Sequence, residues 1–230
     1  MALGDSHVWR DRFVSFDERV LARILHVWPV CVGLLPGQPE EDDITINLVN
    51  LLWRDSVVRR LCYYVEYHFE PWGIDANGAK FSKGQIDIGV LLERNRDRYL
   101  AYECKRLNVV NSGSRGSLAT RYVTQGMMRF LTEQYAEGLP VGCMIGYVMD
   151  GDLPFGLQQV RQAIADNKTP LALIAGPTAG QAVPGTERFQ TGHERITSPI
   201  ELRHLLLPFS SAKQVATSAI ALFGIDKLKI

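Results

Sequence analysis

Apolar positions recur at two spacings along this chain, and the change from one to the other separates helices from strands. Phe13, Val14, Val20, Leu21, Ile24 and Leu25 are interleaved with charge across residues 6–28, the pattern of an amphipathic helix. Pro36-Gly37-Gln38-Pro39 breaks the chain. Ile44, Leu48, Leu51 and Leu52 follow at steps of three and four, predicting a helix from about Asp42 to Asp55. The runs Tyr63–Phe69, 85–92 and 98–107 are instead β-branched, aromatic and aliphatic, as strands require. Glu93-Arg94-Asn95-Arg96-Asp97 is too short for a crossover, so the last two runs pair as an antiparallel hairpin. A helix is expected from about Ser117 to Glu137 and a strand over Val141–Met149. Beyond Gly151 the pattern predicts a helix over Pro154–Asp166 and strands over Leu171–Ala175 and Ile200–Leu207. Residues 176–186 read as a turn-rich excursion: Gly180 to Gly185-Thr186 mimics a phosphate loop, but the lysine and the following helix are missing. The expectation is one domain over 1–230, with a helical extension at 1–39, a core at 40–150 and a C-terminal extension at 151–230.

Composition fits that reading. A chain of 230 residues can bury a full core. Its formal net charge is zero, so global charge does not mark it for nucleic acid. Local charge differs: residues 80–130 hold ten Lys or Arg against four acids, a basic stretch suited to a phosphate backbone. Within it, Arg94, Arg96 and Arg98 either join such a surface or solubilise a hairpin tip. Cys31, Cys62, Cys104 and Cys143 lack paired spacing, which argues against a zinc site and for small core residues in a reducing compartment. The opening residues turn polar by Asp5, so no cleavable signal is expected. Ile24–Leu35 is too short to cross a bilayer. No membrane association and a cytoplasmic location are the expectations.

The chemistry sits on the hairpin. Side chains alternate along a strand, so Glu103 and Lys105 leave one face while Leu100, Tyr102 and Cys104 turn to the core. On the neighbouring strand Ile86, Ile88 and Val90 turn inward and Asp87 points away from them. Two carboxylates beside each other in an apolar sheet repel and are poorly solvated, and a raised pKa or a bound cation relieves this. Mg²⁺ accepts carboxylate oxygens and completes its octahedron with water and substrate phosphate. Lys105, one alternation beyond Glu103, is placed to hold an attacking water or to offset charge on a phosphoryl oxygen.

Asp87 followed by Glu103-Cys104-Lys105 resembles the signature of the PD-(D/E)XK nuclease superfamily, which includes restriction endonucleases. The elements over residues 40–150 come in that superfamily's αβββαβ order. Ile86 stands where its name has proline. Gln125 and Arg129 at i, i+4 replace the Gln-x-x-x-Tyr of its exonuclease branch. The resemblance implies an α/β fold with a restriction-endonuclease-like core, a central mixed β-sheet flanked by helices, and N-terminal helical and C-terminal α/β extensions. It implies catalysis by Asp87, Glu103 and Lys105, and a Mg²⁺ ion, replaceable by Mn²⁺, on Asp87, Glu103 and the Cys104 carbonyl. Many members add an acid from the first helix. Glu41 is the choice within Glu40-Glu41-Asp42-Asp43, although acids there also stabilise a helix N-terminus. Gln125, Arg129, Arg106 and Arg115 are candidates for substrate contacts; Gln125 and Arg129 also suit a solvated helix face.

The loop 111–117 reads as a flexible segment beside the substrate or as a connector with Ser117 as cap. His193, Arg195 and His204 fall outside the site. The implied activity is hydrolysis of phosphodiester bonds, most readily in double-stranded DNA, by an endonuclease of a restriction or antiphage defence system. Cutting both strands calls for a homodimer or a partner complex. A catalytically silent nucleic-acid-binding or scaffold subunit and an RNA-directed nuclease are the alternatives. The N-terminal helix either packs on the core or offers a dimer or partner surface.

Overall fold

The computed structural model describes residues 6–35 and 37–209; Met1–Asp5, Pro36 in the predicted break, and the 210–230 part of the C-terminal extension lie outside the described residues. The chain is an α/β fold around a mixed seven-stranded sheet. Helices α1 (Ser6–Leu34) and α2 (Glu41–Arg54) lead through a single turn, α3 (Val58–Leu61), into β1 (Tyr64–Phe69). β4 (Ile86–Leu91) and β5 (Tyr99–Leu107) form the expected antiparallel hairpin, with β1 antiparallel on the far side of β4. Two small hairpins interrupt this series: β2 (Trp72–Ile74) with β3 (Lys80–Ser82), and β6 (Val109–Asn111) with β7 (Ser114–Gly116). The second occupies the predicted flexible loop.

The chain then returns through a helical segment to β8 (Val141–Val148), which lies parallel to β5. After α6 (Leu153–Asp166), β9 (Leu173–Ala179), β10 (Glu187–His193) and β11 (Ile200–Pro208) extend the same sheet. β11 runs parallel beside β8, and β10 and β9 follow antiparallel, giving the order β1-β4-β5-β8-β11-β10-β9. β10 was not anticipated. Its sequence is polar, but Phe189, Thr191 and His193 alternate inward, and that spacing was the available signal.

Every residue of β8 is buried, as expected of a strand covered on both faces. α1 and α2 cover one face. Trp28 stacks on Tyr147 at 5.5 Å, and the Tyr102 hydroxyl donates to Asp17 at 2.7 Å. Asp17 also pairs with Arg203 of β11, so α1 is packed on the sheet over its length despite Pro29 inside it.

The other face carries α6 and the helical segment after β7, where the fold departs most from expectation. The predicted helix 117–137 is shorter and of mixed type: α4 (Ala119–Arg121), a π-helical stretch (Tyr122–Met127) and α5 (Met128–Leu131). Leu118, at φ 54°, precedes it in place of a Ser117 cap. Past Leu131 the chain turns through Glu133 and Ala136, both at positive φ, which end the helix six residues early. Among the described residues no helix is long and apolar enough to cross a membrane. All four cysteines are free, three of them buried.

Candidate functional site

The site forms where β4 and β5 part. Their pairing runs from Leu91–Tyr99 to Ile88–Tyr102 and then stops. Beyond it the Asp87 carboxylate accepts the Cys104 backbone N–H at 2.6 Å, filling with a side chain the place a ladder bond would take. This fixes the Asp87 oxygens against β5, and a carboxylate accepting a backbone amide makes a short, strong bond.

Four oxygens gather around the Lys105 ammonium. Its Nζ lies 2.7 Å from Glu103 Oε1, 2.9 Å from Glu41 Oε1 and 3.7 Å from Asp87 Oδ2, and it donates to the Cys104 carbonyl at 2.6 Å. Glu41 comes from the first turn of α2, and its other oxygen accepts the Arg106 N–H at 2.9 Å. The structure thus brings together Asp87, Glu103, Lys105, Glu41 and the Cys104 carbonyl. Arg129 closes the cluster on the solvent side, 3.0 Å from Glu103 Oε1.

Burial sets the electrostatics. Glu103 is 0% exposed and one of its oxygens, Oε2, has no hydrogen-bond partner. Desolvation, aided by Asp87, outweighs Lys105 and Arg129 and pushes the Glu103 carboxyl up to about 8. Asp87 is also raised, by burial first, against the pull of Lys105 and the Cys104 amide. Burial alone would lower Lys105, but Glu103, Asp87 and Glu41 together hold its ammonium above the ordinary value. The charged face is roofed by the π-helical stretch, because Gly126 lets the backbone settle over Glu103. A Cβ on Gly126 would stand 3.6 Å from Glu103 Cγ and 2.5 Å from Met144 Cε.

The remaining candidates separate. Arg129 reaches the cluster while Gln125 is exposed and shares none of its hydrogen bonds. The expected i, i+4 alignment of the two fails because a π-helix bonds i→i+5 and so rotates the later turn. Arg106 is committed to the start of α2, pairing with Glu40 and donating to the Pro39 carbonyl at 3.1 Å. Arg115 ties the β6–β7 hairpin to Asp150 and Asp152 and stacks over Phe155 at 4.5 Å. At the β4–β5 tip Arg96 pairs with Glu66 and Arg98 covers the Trp9 ring at 4.0 Å, so both hold structure there. His193 and His204 are buried in a hydrogen-bonded chain through Thr191. Arg195 is buried too, its guanidinium donating to the Ala136 and Leu139 carbonyls.

Tyr135 was missed. Its hydroxyl accepts from Arg129 at 2.7 Å and donates to the Gln85 carbonyl, so it links Arg129 to the strand that carries Asp87. Burial, then Glu103, holds the phenol proton on. The signal hidden in the sequence was helix length, since a helix to Glu137 would have carried Tyr135 elsewhere.

Oxygen donors of this kind suit a hard divalent cation. As the groups stand, no three His, Cys, Asp or Glu side chains among the described residues form a ready cage, and the Lys105 ammonium holds the middle of the cluster. The donor chemistry still fits: an unpartnered, buried Glu103 oxygen and two carboxyls destabilised by burial gain from a cation. No family model, curated protein or solved structure matches this chain.

Proposed function

We propose that this chain is a metal-dependent phosphodiesterase of the PD-(D/E)XK type with a restriction-endonuclease-like core. Its substrate in this reading is double-stranded DNA, cut by an endonuclease in a restriction or antiphage setting. The observation that carries the proposal is the convergence of Glu41, Asp87, Glu103 and the Cys104 carbonyl on one cation, the Lys105 ammonium, with Glu103 Oε2 left unpartnered. The order of α2, β1, β4, β5, the helical segment and β8 supports it.

Asp87, Glu103 and the Cys104 carbonyl, with Glu41, are the groups that would hold Mg²⁺ or Mn²⁺. When bound, the ion supplies positive charge to a phosphoryl oxygen and acidifies water. The chain's own residues do the rest. Asp87 is oriented by the Cys104 amide. Lys105 donates to an attacking water or to the phosphate, offsetting charge as it develops. Arg129, partly exposed and braced by Tyr135, offers a guanidinium to a phosphate oxygen. Two active centres are needed to cut both strands, which calls for a homodimer or partner complex.

One observation favours a second reading, a nucleic-acid-binding subunit without turnover: the Lys105 ammonium already holds the middle of the cluster. The assay incubates the protein with supercoiled plasmid, linear duplex, single-stranded DNA and RNA in Mg²⁺, Mn²⁺ or EDTA. Metal-dependent cleavage lost in Asp87→Ala and Lys105→Ala is the expected result. Binding with no cut in any metal supports the silent subunit, and cleavage confined to RNA moves the substrate class.

A further inference from the structure

A cavity lies away from the acidic cluster, at the opposite end of α2. It has a volume of about 170 Å³ and is lined by Trp53, Arg59, Cys62, Tyr63 and Tyr64 with two valines. A cavity of about 150 Å³ admits a benzene ring, so this one has room for an aromatic group. Its aromatic wall is unusually open: Trp53, Tyr63 and Tyr64 are 41%, 56% and 39% exposed, with Trp53 and Tyr64 in ring contact at 4.4 Å. Large rings at a surface are costly in water unless something covers them.

The charge around this wall is of one sign. Arg59 lines the cavity, and Arg54 and Arg60 are exposed beside it in the chain. None of the three guanidiniums pairs with a carboxylate among the described residues; the nearby acid, Asp55, is taken by Arg23 and by the Val57 and Val58 amides. Burial pushes the Cys62 thiol up to about 11, so the lining adds no anion. Exposed aromatic faces with unpaired guanidiniums are the combination that binds a base and its phosphate.

We infer that this cavity binds a nucleoside phosphate, its base packed on the Trp53 and Tyr63 wall and its phosphate on Arg59. The ligand is either a free nucleotide or one nucleotide of a strand, since both present the same chemistry. α2 places this site apart from the acidic cluster: Glu41 lies in its first turn and Trp53 in its last, about 18 Å away at 1.5 Å per residue. The inference therefore does not require the nuclease reading.

The test is calorimetric titration of the full chain in EDTA with AMP, GMP, adenosine, inorganic phosphate and a hexathymidylate. AMP or GMP is expected to bind, and Trp53→Ala and Arg59→Ala each to weaken binding about tenfold or more. Ile174→Ala, at an exposed position of β9, should leave the affinity unchanged. Mononucleotide binding identifies a free ligand; binding of the hexamer alone identifies a strand site. Because Trp53, Arg59 and Tyr63 are exposed, the variants should keep the wild-type melting temperature, and Tyr63→Ala gives an independent reading should one of them fail to fold. The inference is overturned if no nucleotide binds, if phosphate binds as well as AMP, or if affinity survives in the folded variants.

Discussion

With Lys105 replaced by Met, Glu41, Asp87 and Glu103 lose the ammonium they share, while Arg129 reaches Glu103 alone. Removing one partner from a buried ionic cluster leaves uncompensated charge and costs about 3 kcal/mol. The variant should therefore unfold earlier than wild type in EDTA, and Mg²⁺ should raise its melting temperature by more than it raises that of wild type, since binding to the folded form alone stabilises it. A variant indifferent to Mg²⁺ would count against a cation site. Glu103 gives a complementary pH test. Its folded carboxyl is raised from an ordinary 4.5 to about 8, so between those values the folded state keeps a proton that the unfolded chain has lost. Its contribution is complete below pH 4.5 and fades as pH climbs through about 8, by up to roughly 1.4 kcal/mol per pH unit. Glu103→Gln removes that loss. In urea melts with EDTA, the variant should match wild type near pH 5 and exceed it at pH 9. This residue-level detail was partly legible: strand alternation puts Glu103 and Lys105 on one face beside Asp87 of the neighbouring strand, and the structure brings these three together with Glu41. That the carboxyls would be roofed was not, because nothing local announces a helix packed above them.

Among the elements, those with a strong period were readable and those shaped by their neighbours were not. The β4–β5 hairpin follows from alternation around a short polar turn, and α2 from its stripe of Ile44, Leu48 and Leu52. The segment 119–131 failed because its π-helical geometry answers to packing of Tyr122, Gly126 and Phe130 against β8, a tertiary demand invisible in the window. β10 failed because its inward residues include Thr191 and His193, polar groups buried only because each finds a partner. That partnership has a consequence. His204 bonds the Tyr122 hydroxyl at 2.9 Å and Thr191 at 3.0 Å, and His193 bonds Thr191 at 2.7 Å and the Leu171 carbonyl at 2.8 Å. Burial holds both imidazoles below their ordinary pKa, and the neighbouring His193 adds to the effect on His204. The unfolded chain takes up protons first, so the stabilisation from these neutral rings is complete above pH 6.5 and is lost as pH falls through that value toward the folded pKa. Glu103 acts in the opposite direction over the same range. Subtracting the pH dependence of His204→Gln from that of wild type isolates the histidine, and the difference should steepen toward acid below pH 6.5 by up to about 1.4 kcal/mol per unit.

Across the whole molecule the sheet has no seam between the core at 40–150 and the extension beyond it. β8 is flanked by β5 on one side and β11 on the other, both parallel to it, with eight residues of β8 registered against β11. Leu202, Leu205, Leu206 and Leu207 of β11 are buried, and the β8 residues they cover belong to the same core as Val90, Leu100 and Leu107 beside the acidic cluster. Helix α1 fastens the two halves from outside: Asp17 accepts from Tyr102 of β5 and pairs with Arg203 of β11, and Trp28 donates to the Pro208 carbonyl at 3.0 Å. A chain ending at Asp150 would expose the β8 edge, strand the Asp17 carboxylate without its guanidinium, and forfeit four buried leucines at about 2 kcal/mol or more each. That loss, about 8 kcal/mol before the lost helix α6 is counted, is as large as the net stability of about 5–15 kcal/mol usual for a domain. The full chain should therefore unfold in one transition, with tryptophan fluorescence and far-ultraviolet circular dichroism giving coincident curves. The chain cut at Asp150 should give no cooperative transition. A soluble 1–150 fragment that melts cooperatively would mean instead that the β5–β8 half, with the acidic cluster, folds without the strands that here enclose it.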